Sequence, residues 1–470
     1  MHDITAKRQA LLNRARARLQ DGSVDECIGL CRQLLEDVFR YRLPGSYNRL
    51  KESLQVSDEG KVAFELLICC LRLSGARLGW LHAETLRIRS GLSYIREKLF
   101  SRPSKIAYVG ASVTGQKDSY VKSLHAGLCE LTGFNHDALI VGRGATGSIY
   151  ALESMDTEIL RHRPEMCFFE YLTGDLNEGL TPWAEMERVL ETVIHDLMSH
   201  GCRVIFLYLF RGDYLLCENN KALRIYEAAA EKFGVPSING GLFLQQLIVN
   251  GAISYFDLIR DAVHTTPLGS EIVGRYLVQR VNELLLSGGE HISRAVNHGG
   301  NNRFKRVRLI EPRVLGVAQR RTWKGKTFVH LDSDTAEVEW TTQGYLLGVS
   351  VIVGPLSGAV EVLIGEEVRI EVLWDHWCRN GGERFRLVPI GVHLRVPARV
   401  VIRIKRYPIL PCGFCYKVEP TGEVHPRHAT HPDEFVIRYE CPCSEMDRVV
   451  DAYRTASIVG LVVDDQFGSS

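Results

Sequence analysis

The sequence predicts an α/β domain, a parallel sheet with helices on both faces, preceded by a helical region and followed by an antiparallel β-sandwich. Three observations carry this. Residues 101–288 alternate between short apolar runs and helix-length amphipathic stretches, the pattern of right-handed βαβ units. Residues 1–100 carry apolar side chains at helical spacing. From residue 313 onward the texture changes to short alternating β-branched runs separated by Gly, Pro or charged turns. The expected organisation is therefore a helical N-terminal region over 1–100, an α/β domain over 101–288, a linker over 289–312 and a β-sandwich domain over 313–470.

Each element has a local reason. Leu11, Leu12, Ala15 and Leu19 recur near one helical face, and Ser23-Val24-Asp25-Glu26 reads as a capping box ahead of Cys27, Ile28, Cys31, Leu34, Leu35 and Val38. Pro44-Gly45 interrupts the pattern, and an apolar helix is expected over 59–73. Strands are expected at 106–109, 138–141, 166–171 and 203–208, with helices over 120–131, 184–199, 221–233 and 270–286. Asn297-His298-Gly299-Gly300-Asn301-Asn302 and the basic run Arg303, Lys305, Arg306 and Arg308 read as a solvated linker. In the last region, strands are expected at 327–331, 336–340, 346–353, 359–364, 368–373, 391–396 and 400–404. Trp323, Trp340, Trp374 and Trp377 are read as sandwich core, with a sugar-stacking platform as the alternative.

Composition narrows the function class. The 470 residues carry a formal net charge of +1, which gives no electrostatic case for nucleic acid or a membrane surface. No apolar run reaches the roughly 18 residues of a spanning helix, so no membrane span is expected. The first 20 residues are Arg-rich and lack a secretory apolar core; with 13 scattered cysteines this reads as a cytoplasmic protein with reduced thiols. An organelle transit peptide is the alternative reading of that stretch, although Asp3 and Asp21 flank it.

Two segments about 150 residues apart carry the chemistry. Gly110-Ala111-Ser112-Val113-Thr114-Gly115 follows an apolar strand and places Ser112 on a tight strand-to-helix turn. Asp261-Ala262-Val263-His264 offers a carboxylate and an imidazole three residues apart, followed by Thr265-Thr266-Pro267-Leu268-Gly269. Together they supply a serine nucleophile, its base and an acid to orient the base. Each also has a plainer reading: Ser112 as a helix-capping serine, His264 as an incidental residue in a helix-leading loop. Arg143-Gly144-Ala145-Thr146-Gly147-Ser148 lies between them, a Gly-rich loop without the Gly-Lys-Ser/Thr of a nucleotide-binding loop. Ser112, Gly147 and Asp175 all follow strand candidates, on the edge where parallel sheets bind ligands.

Residues 105–280 resemble the SGNH/GDSL family of esterases and lipases, as a divergent member. That resemblance implies a three-layer α/β/α fold. Ser112 stands at the nucleophile, with Ala111 where the family has Asp. Gly147 stands at the glycine whose N–H serves the oxyanion hole, and Asp261 and His264 reproduce the Asp-x-x-His block. Glu170-Tyr171-Leu172-Thr173-Gly174-Asp175-Leu176-Asn177 matches the third block, but Gly174 replaces the Asn that gives a further oxyanion donor. Gly174's own N–H and the side chain of Asn177 are the two candidate substitutes, and Asn177 also reads as a turn residue.

The resemblance implies a carboxylic ester hydrolase that needs no cofactor. A β-sandwich beside such a domain favours an O-acetyl or other acyl ester of a saccharide, by fold analogy. Two alternatives stay open: an O-acyltransferase using the same serine, and a catalytically degenerate module that binds a glycan or a partner. The N-terminal helices are the candidate surface for a protein partner or self-association. Cys412, Cys415, Cys441 and Cys443, framing His425, His428 and His431, read as reduced thiols, with a structural zinc site as the alternative.

Overall fold

The computed structural model describes residues 2–24, 26–27, 29–31, 86–87, 101–176, 180–209, 221–260, 263–286, 303–333, 335–354, 357–373, 383–405, 414–418, 424–428 and 455–466. Of the residues singled out above, Asp261, Asn177, Cys412, Cys441 and Cys443 lie outside the described residues, as do Trp374, Trp377 and the helix expected over 59–73.

The α/β domain is built on one sheet. Strands β2 (Lys105–Gly110), β3 (Asp137–Gly142), β4 (Met166–Glu170), β5 (Arg203–Tyr208) and β6 (Ser237–Asn239) run parallel in the order β3-β2-β4-β5-β6. The four strands expected from the sequence are present. β6 is three residues long, too short for an alternation signal. A two-residue strand, β1 (Leu86–Arg87), pairs antiparallel with β6 at the sheet edge, inside the stretch expected to be helical.

Alternation along these strands sorts their side chains to two faces. Ile106, Tyr108, Met166, Phe168, Ile205 and Leu207 join one core, with α1 (His2–Gln20), α3 (Tyr120–Thr132), α8 (Gly240–Val249) and α10 (Pro267–Leu286). Ala107, Val109, Cys167, Phe169, Val204 and Phe206 join the other, with α4 (Ile149–Ser154), α6 (Trp183–Ser199) and α7 (Lys221–Phe233). The first core holds Leu11, Leu12 and Ala15, so α1 docks on the α/β layer through the apolar stripe read from the sequence. Three one-turn helices also occur among the described residues: α2 (Ser112–Gly115), α5 (Leu172–Asp175) and α9 (Tyr255–Leu258).

The C-terminal region forms an antiparallel sheet of nine strands on the path β13-β12-β14-β11-β17-β10-β9, with β7 on β17 and β8 on β11. The strands are β7 (Val307–Ile310), β8 (Arg313–Leu315), β9 (Gln319–Trp323), β10 (Lys326–Leu331), β11 (Glu337–Val353), β12 (Ala359–Ile364), β13 (Glu367–Val372), β14 (Arg384–Lys405) and β17 (Ala456–Asp464); β15 (Phe414–Val418) and β16 (Val424–His428) form a separate hairpin.

Two expected pairs of short strands fuse. Segments 336–340 and 346–353 are the two ends of β11, and 391–396 and 400–404 both lie in β14. These strands pair with each other along most of their length, side by side in the middle of the nine-stranded sheet. Two register shifts, at Thr342/Gly344 and Leu346/Gly348, interrupt the ladder of β11 with β14, and Gly344 there has φ +102°. Buried residues of this sheet, among them Val338, Trp340, Val351, Val362, Ile402 and Ile458, make one core. Trp340 is therefore core, and its Nε1 donates to the Ile310 carbonyl.

The two domains share buried surface. Phe304, Tyr345, Leu347, Leu387 and Val462 belong to the same apolar core as α4 and α6. The Arg188 guanidinium covers the rings of Phe304 and Tyr345 at 4.3 and 4.8 Å, and Tyr345 Oη donates to Glu185 at 2.6 Å. The stretch expected to be a solvated linker is in part a seam: Phe304 is buried, residues 307–310 form β7, and Asp464 accepts the backbone N–H of Lys305 and Arg306.

Candidate active site

The strand order puts a switch point between β2 and β4. The chain leaves β2 toward β3 on one side and returns to β4 on the other, so their following loops diverge and open a crevice. Ser112 opens α2 beyond the end of β2, and α5 starts just beyond β4. The 143–148 loop, after β3, joins them on the same edge.

Opposite these loops stands His264. Its segment is closed at the base by the Ile259–Thr265 bridge, by the Arg260 N–H on the His264 carbonyl at 2.8 Å, and by the Thr266 N–H on Leu258. His264 Nε2 lies 2.8 Å from Ser112 Oγ, and both residues are partly exposed to solvent. A tie from the Ser112 turn reinforces the pairing. Gln116 Nε2 donates to Thr265 Oγ1 at 3.1 Å and to Ser270 Oγ at 3.3 Å.

Beneath Ser112 lies a buried polar network. The Ala111 N–H donates to the Glu170 carbonyl. Thr114 Oγ1 donates to Glu170 Oε2 at 3.0 Å and contacts Tyr120 Oη at 3.1 Å, while Thr173 donates to Glu170 Oε1 through both its hydroxyl and its N–H. Burial pushes the Glu170 carboxyl up to about 7, against the lowering effect of these hydrogen bonds.

The 143–148 loop is held closely. The Arg143 N–H donates to Gly110, Thr146 Oγ1 donates to the Arg143 carbonyl, and the Ser148 N–H donates to Asp175 Oδ1 at 2.8 Å. Asp175 is fully buried and also accepts from Tyr226 Oη at 2.6 Å; burial raises its pKa. A Cβ on Gly147 would lie 2.2 Å from Thr181 Oγ1 and 2.4 Å from Asp175 Oδ1, so only glycine fits. Among the described residues, neither the Ser112 nor the Gly147 N–H is taken by a hydrogen bond. The Gly174 N–H is different: it donates to Tyr171 at 3.0 Å and is not available as a substitute oxyanion donor.

No protein-family model matches the sequence, and no curated protein matches it. Solved structures do. A two-domain esterase active on acetylated mannans aligns with a TM-score of 0.58 at 12% identity, over 81% of this chain and 97% of its own. Its structure co-crystallised with mannopentaose gives 0.59 at the same identity and coverage. At that identity the likeness is one of fold, a parallel α/β sheet domain joined to an antiparallel β domain. Coverage of 81% exceeds what the α/β domain alone can supply, so the likeness includes the β domain.

The structure brings Ser112, His264, Gly147, Gly174 and Asp175 to one sheet edge. Sequence reasoning missed Gln116, Thr114 and Thr173 as supports. It also missed Arg384, the first residue of β14, whose Nη1 donates to the Ala145 carbonyl at 2.5 Å. Thr173 sits three residues after Glu170, the reach of a local hydroxyl bond, whereas Thr114 meets Glu170 across 56 residues and gives no local signal. Gln116 and Arg384 carry no such signal. For the zinc alternative, Cys415 stands in β15, and among the described residues no His, Cys, Asp and Glu cluster with metal-binding geometry occurs.

Proposed function

We propose that this chain is a serine esterase that removes acyl groups, O-acetyl foremost, from a saccharide. The observation that carries the reading is the 2.8 Å contact between His264 Nε2 and Ser112 Oγ at the switch point of the sheet. A hydroxyl at that distance from an imidazole can pass its proton as it attacks a carbonyl carbon. The fold shared with an esterase active on acetylated mannans supports the substrate class, as does the β domain beside the site.

In the proposed reaction, Ser112 Oγ attacks the ester carbonyl and His264 takes its proton. Asp261, three residues before His264, orients the ring and stabilises its charged form. The N–H groups of Ser112 and Gly147 receive the tetrahedral oxyanion. His264 then protonates the leaving sugar oxygen, giving an acyl-Ser112 ester and the free hydroxyl. Water, deprotonated by His264, attacks the acyl carbon, and carboxylic acid and free Ser112 result. Two backbone donors serve this oxyanion hole, because Gly174 brings no side chain. A cytoplasmic setting is part of the same proposal.

The test is acetate release from an acetylated manno-oligosaccharide, with fluorophosphonate labelling in parallel. The wild-type protein is expected to release acetate and to be labelled at Ser112, and Ser112→Ala to do neither. Acetate release by Ser112→Ala at the wild-type rate overturns the assignment of the nucleophile. Glycan binding without acetate release or labelling in the wild type means a binding module instead.

A further inference from the structure

We propose that Arg384, from the β domain, is a positioning residue that aims the Gly147 N–H at the reacting carbonyl, so that the oxyanion hole is completed across the domain junction. This rests on the esterase reading above.

The argument follows three successive peptide planes. The middle one, Thr146–Gly147, carries the Gly147 N–H. The plane after it, Gly147–Ser148, is fixed at both ends: its N–H donates to Asp175, and its carbonyl accepts from Tyr150. The plane before it, Ala145–Thr146, is fixed by Arg384 Nη1 on the Ala145 carbonyl at 2.5 Å. The direction of the Gly147 N–H is thus set by two clamped neighbours. Asp175 belongs to the α/β domain, whereas Arg384 lies 239 residues along the chain from Ala145.

Ala145 shows why a clamp is needed. Its φ is +51°, the left-handed region, which a residue with a Cβ adopts at a cost of about 1 kcal/mol or more. A non-glycine residue stays there when its surroundings hold it. Two residues of the β domain, Phe385 and Lys326, back up the arginine. The Phe385 ring lies 5.6 Å from the Arg143 guanidinium, at the start of the loop. That guanidinium is paired with Glu158 at 2.8 Å. Lys326 of β10 reaches Glu158 at 3.4 Å and Glu153 at 2.5 Å. The β domain therefore grips the loop at several points, and Arg384 alone among these binds its backbone next to the donor.

An oxyanion donor acts on the transition state more than on bound substrate. The test compares Arg384→Ala, Arg384→Lys and wild type, as full-length chains, in two readouts. The first is kinetics on an aryl acetate. Arg384→Ala is expected to lower kcat about 10- to 100-fold with KM within about twofold, the pattern of a lost transition-state contact. Affinity for a trifluoromethyl ketone should fall in parallel, the pH dependence of kcat/KM should keep its shape, and added guanidinium or Arg384→Lys should restore part of the rate. A rise in KM at unchanged kcat overturns the proposal. The second readout needs no turnover: hydrogen exchange at residues 144–148. Faster exchange there in Arg384→Ala, with β2 and β4 unchanged, supports the clamp, and unchanged exchange overturns it. If wild-type protein hydrolyses no ester but the exchange difference appears, the esterase reading fails while the clamp on the loop stands.

Discussion

The carbonyl oxygen of Thr146 occupies the space that a side chain at Gly174 would need: a Cβ there would lie 2.1 Å from it. The glycine that departs from the resembled sequence block is thereby linked to the path of the 143–148 loop. An Asn at 174 would push on the backbone carbonyl of the very peptide plane that carries the Gly147 N–H. Gly174→Asn is therefore expected to lose activity, not regain the family's missing donor. Overpacking of this kind costs about 1–3 kcal/mol, so a lowered Tm should accompany a fall in kcat. A rise in kcat at unchanged Tm would mean that the loop yields and that an Asn is accommodated after all.

Glu170 gives a pH prediction with a definite sign. Its carboxyl titrates near 7 in the fold, chiefly through burial, with nearby Asp175 adding to the rise, against an ordinary 4.5. Between those values the folded chain holds a proton that the unfolded chain has released, so stability falls as pH rises from 4.5 to 7. The difference amounts to about 3 kcal/mol at 1.36 kcal/mol per unit. Glu170→Gln mimics the protonated acid on Thr114 and Thr173 and lacks this dependence. Urea denaturation should find the variant close to wild type at pH 5 and more stable than wild type at pH 8. Parallel curves for the two proteins across that range would refute the assignment.

The junction between domains makes a third prediction. Lys326 is largely buried and pairs with Glu153, whose side chain is fully buried. Replacing only the lysine strands a carboxylate, which typically costs about 3–5 kcal/mol; removing both charges costs much less. Lys326→Met should lower Tm by several degrees, and Lys326→Met with Glu153→Gln should recover most of the loss. Because Phe304, Tyr345 and Leu347 share a core with α4 and α6, both domains should melt in one transition. Two separate calorimetric transitions in wild-type protein would show that the shared core does not couple them.

What the sequence made legible follows from the range of the forces involved. Alternation and local turns are encoded by neighbours, so β2, β4, β5, Ser112 and His264 could be read from short segments. The fusion of two predicted strands into β11 could not. Its bulge at Thr342/Gly344 breaks the alternation, and the continuity comes from pairing with β14, about 60 residues on. The departure at Gly174 was visible, but its reason was not, since Thr146 lies nearly 30 residues earlier. Arg384 reads as an ordinary strand-end cation until the fold sets it against Ala145.

Gln116 supplies the last prediction. Two parts of the site come from opposite ends of the α/β domain, Ser112 after β2 and His264 before α10. Gln116, four residues past the serine, joins them through Thr265 and Ser270, whose hydroxyls are 2.6 Å apart. Each neutral hydrogen bond of this kind contributes about 1 kcal/mol to stability, a small share of the whole. Its effect on geometry is larger, because a nucleophile and base displaced by about 1 Å can lose 10²-fold in rate. Gln116→Ala is expected to lower kcat and the rate of fluorophosphonate capture by about tenfold or more, with Tm within a few degrees of wild type. Gln116→Glu keeps the length and can accept from both hydroxyls, so it should retain more of the rate than alanine. Equal rates for Gln116→Ala and wild type would show that the His264 loop is held in place without this bridge.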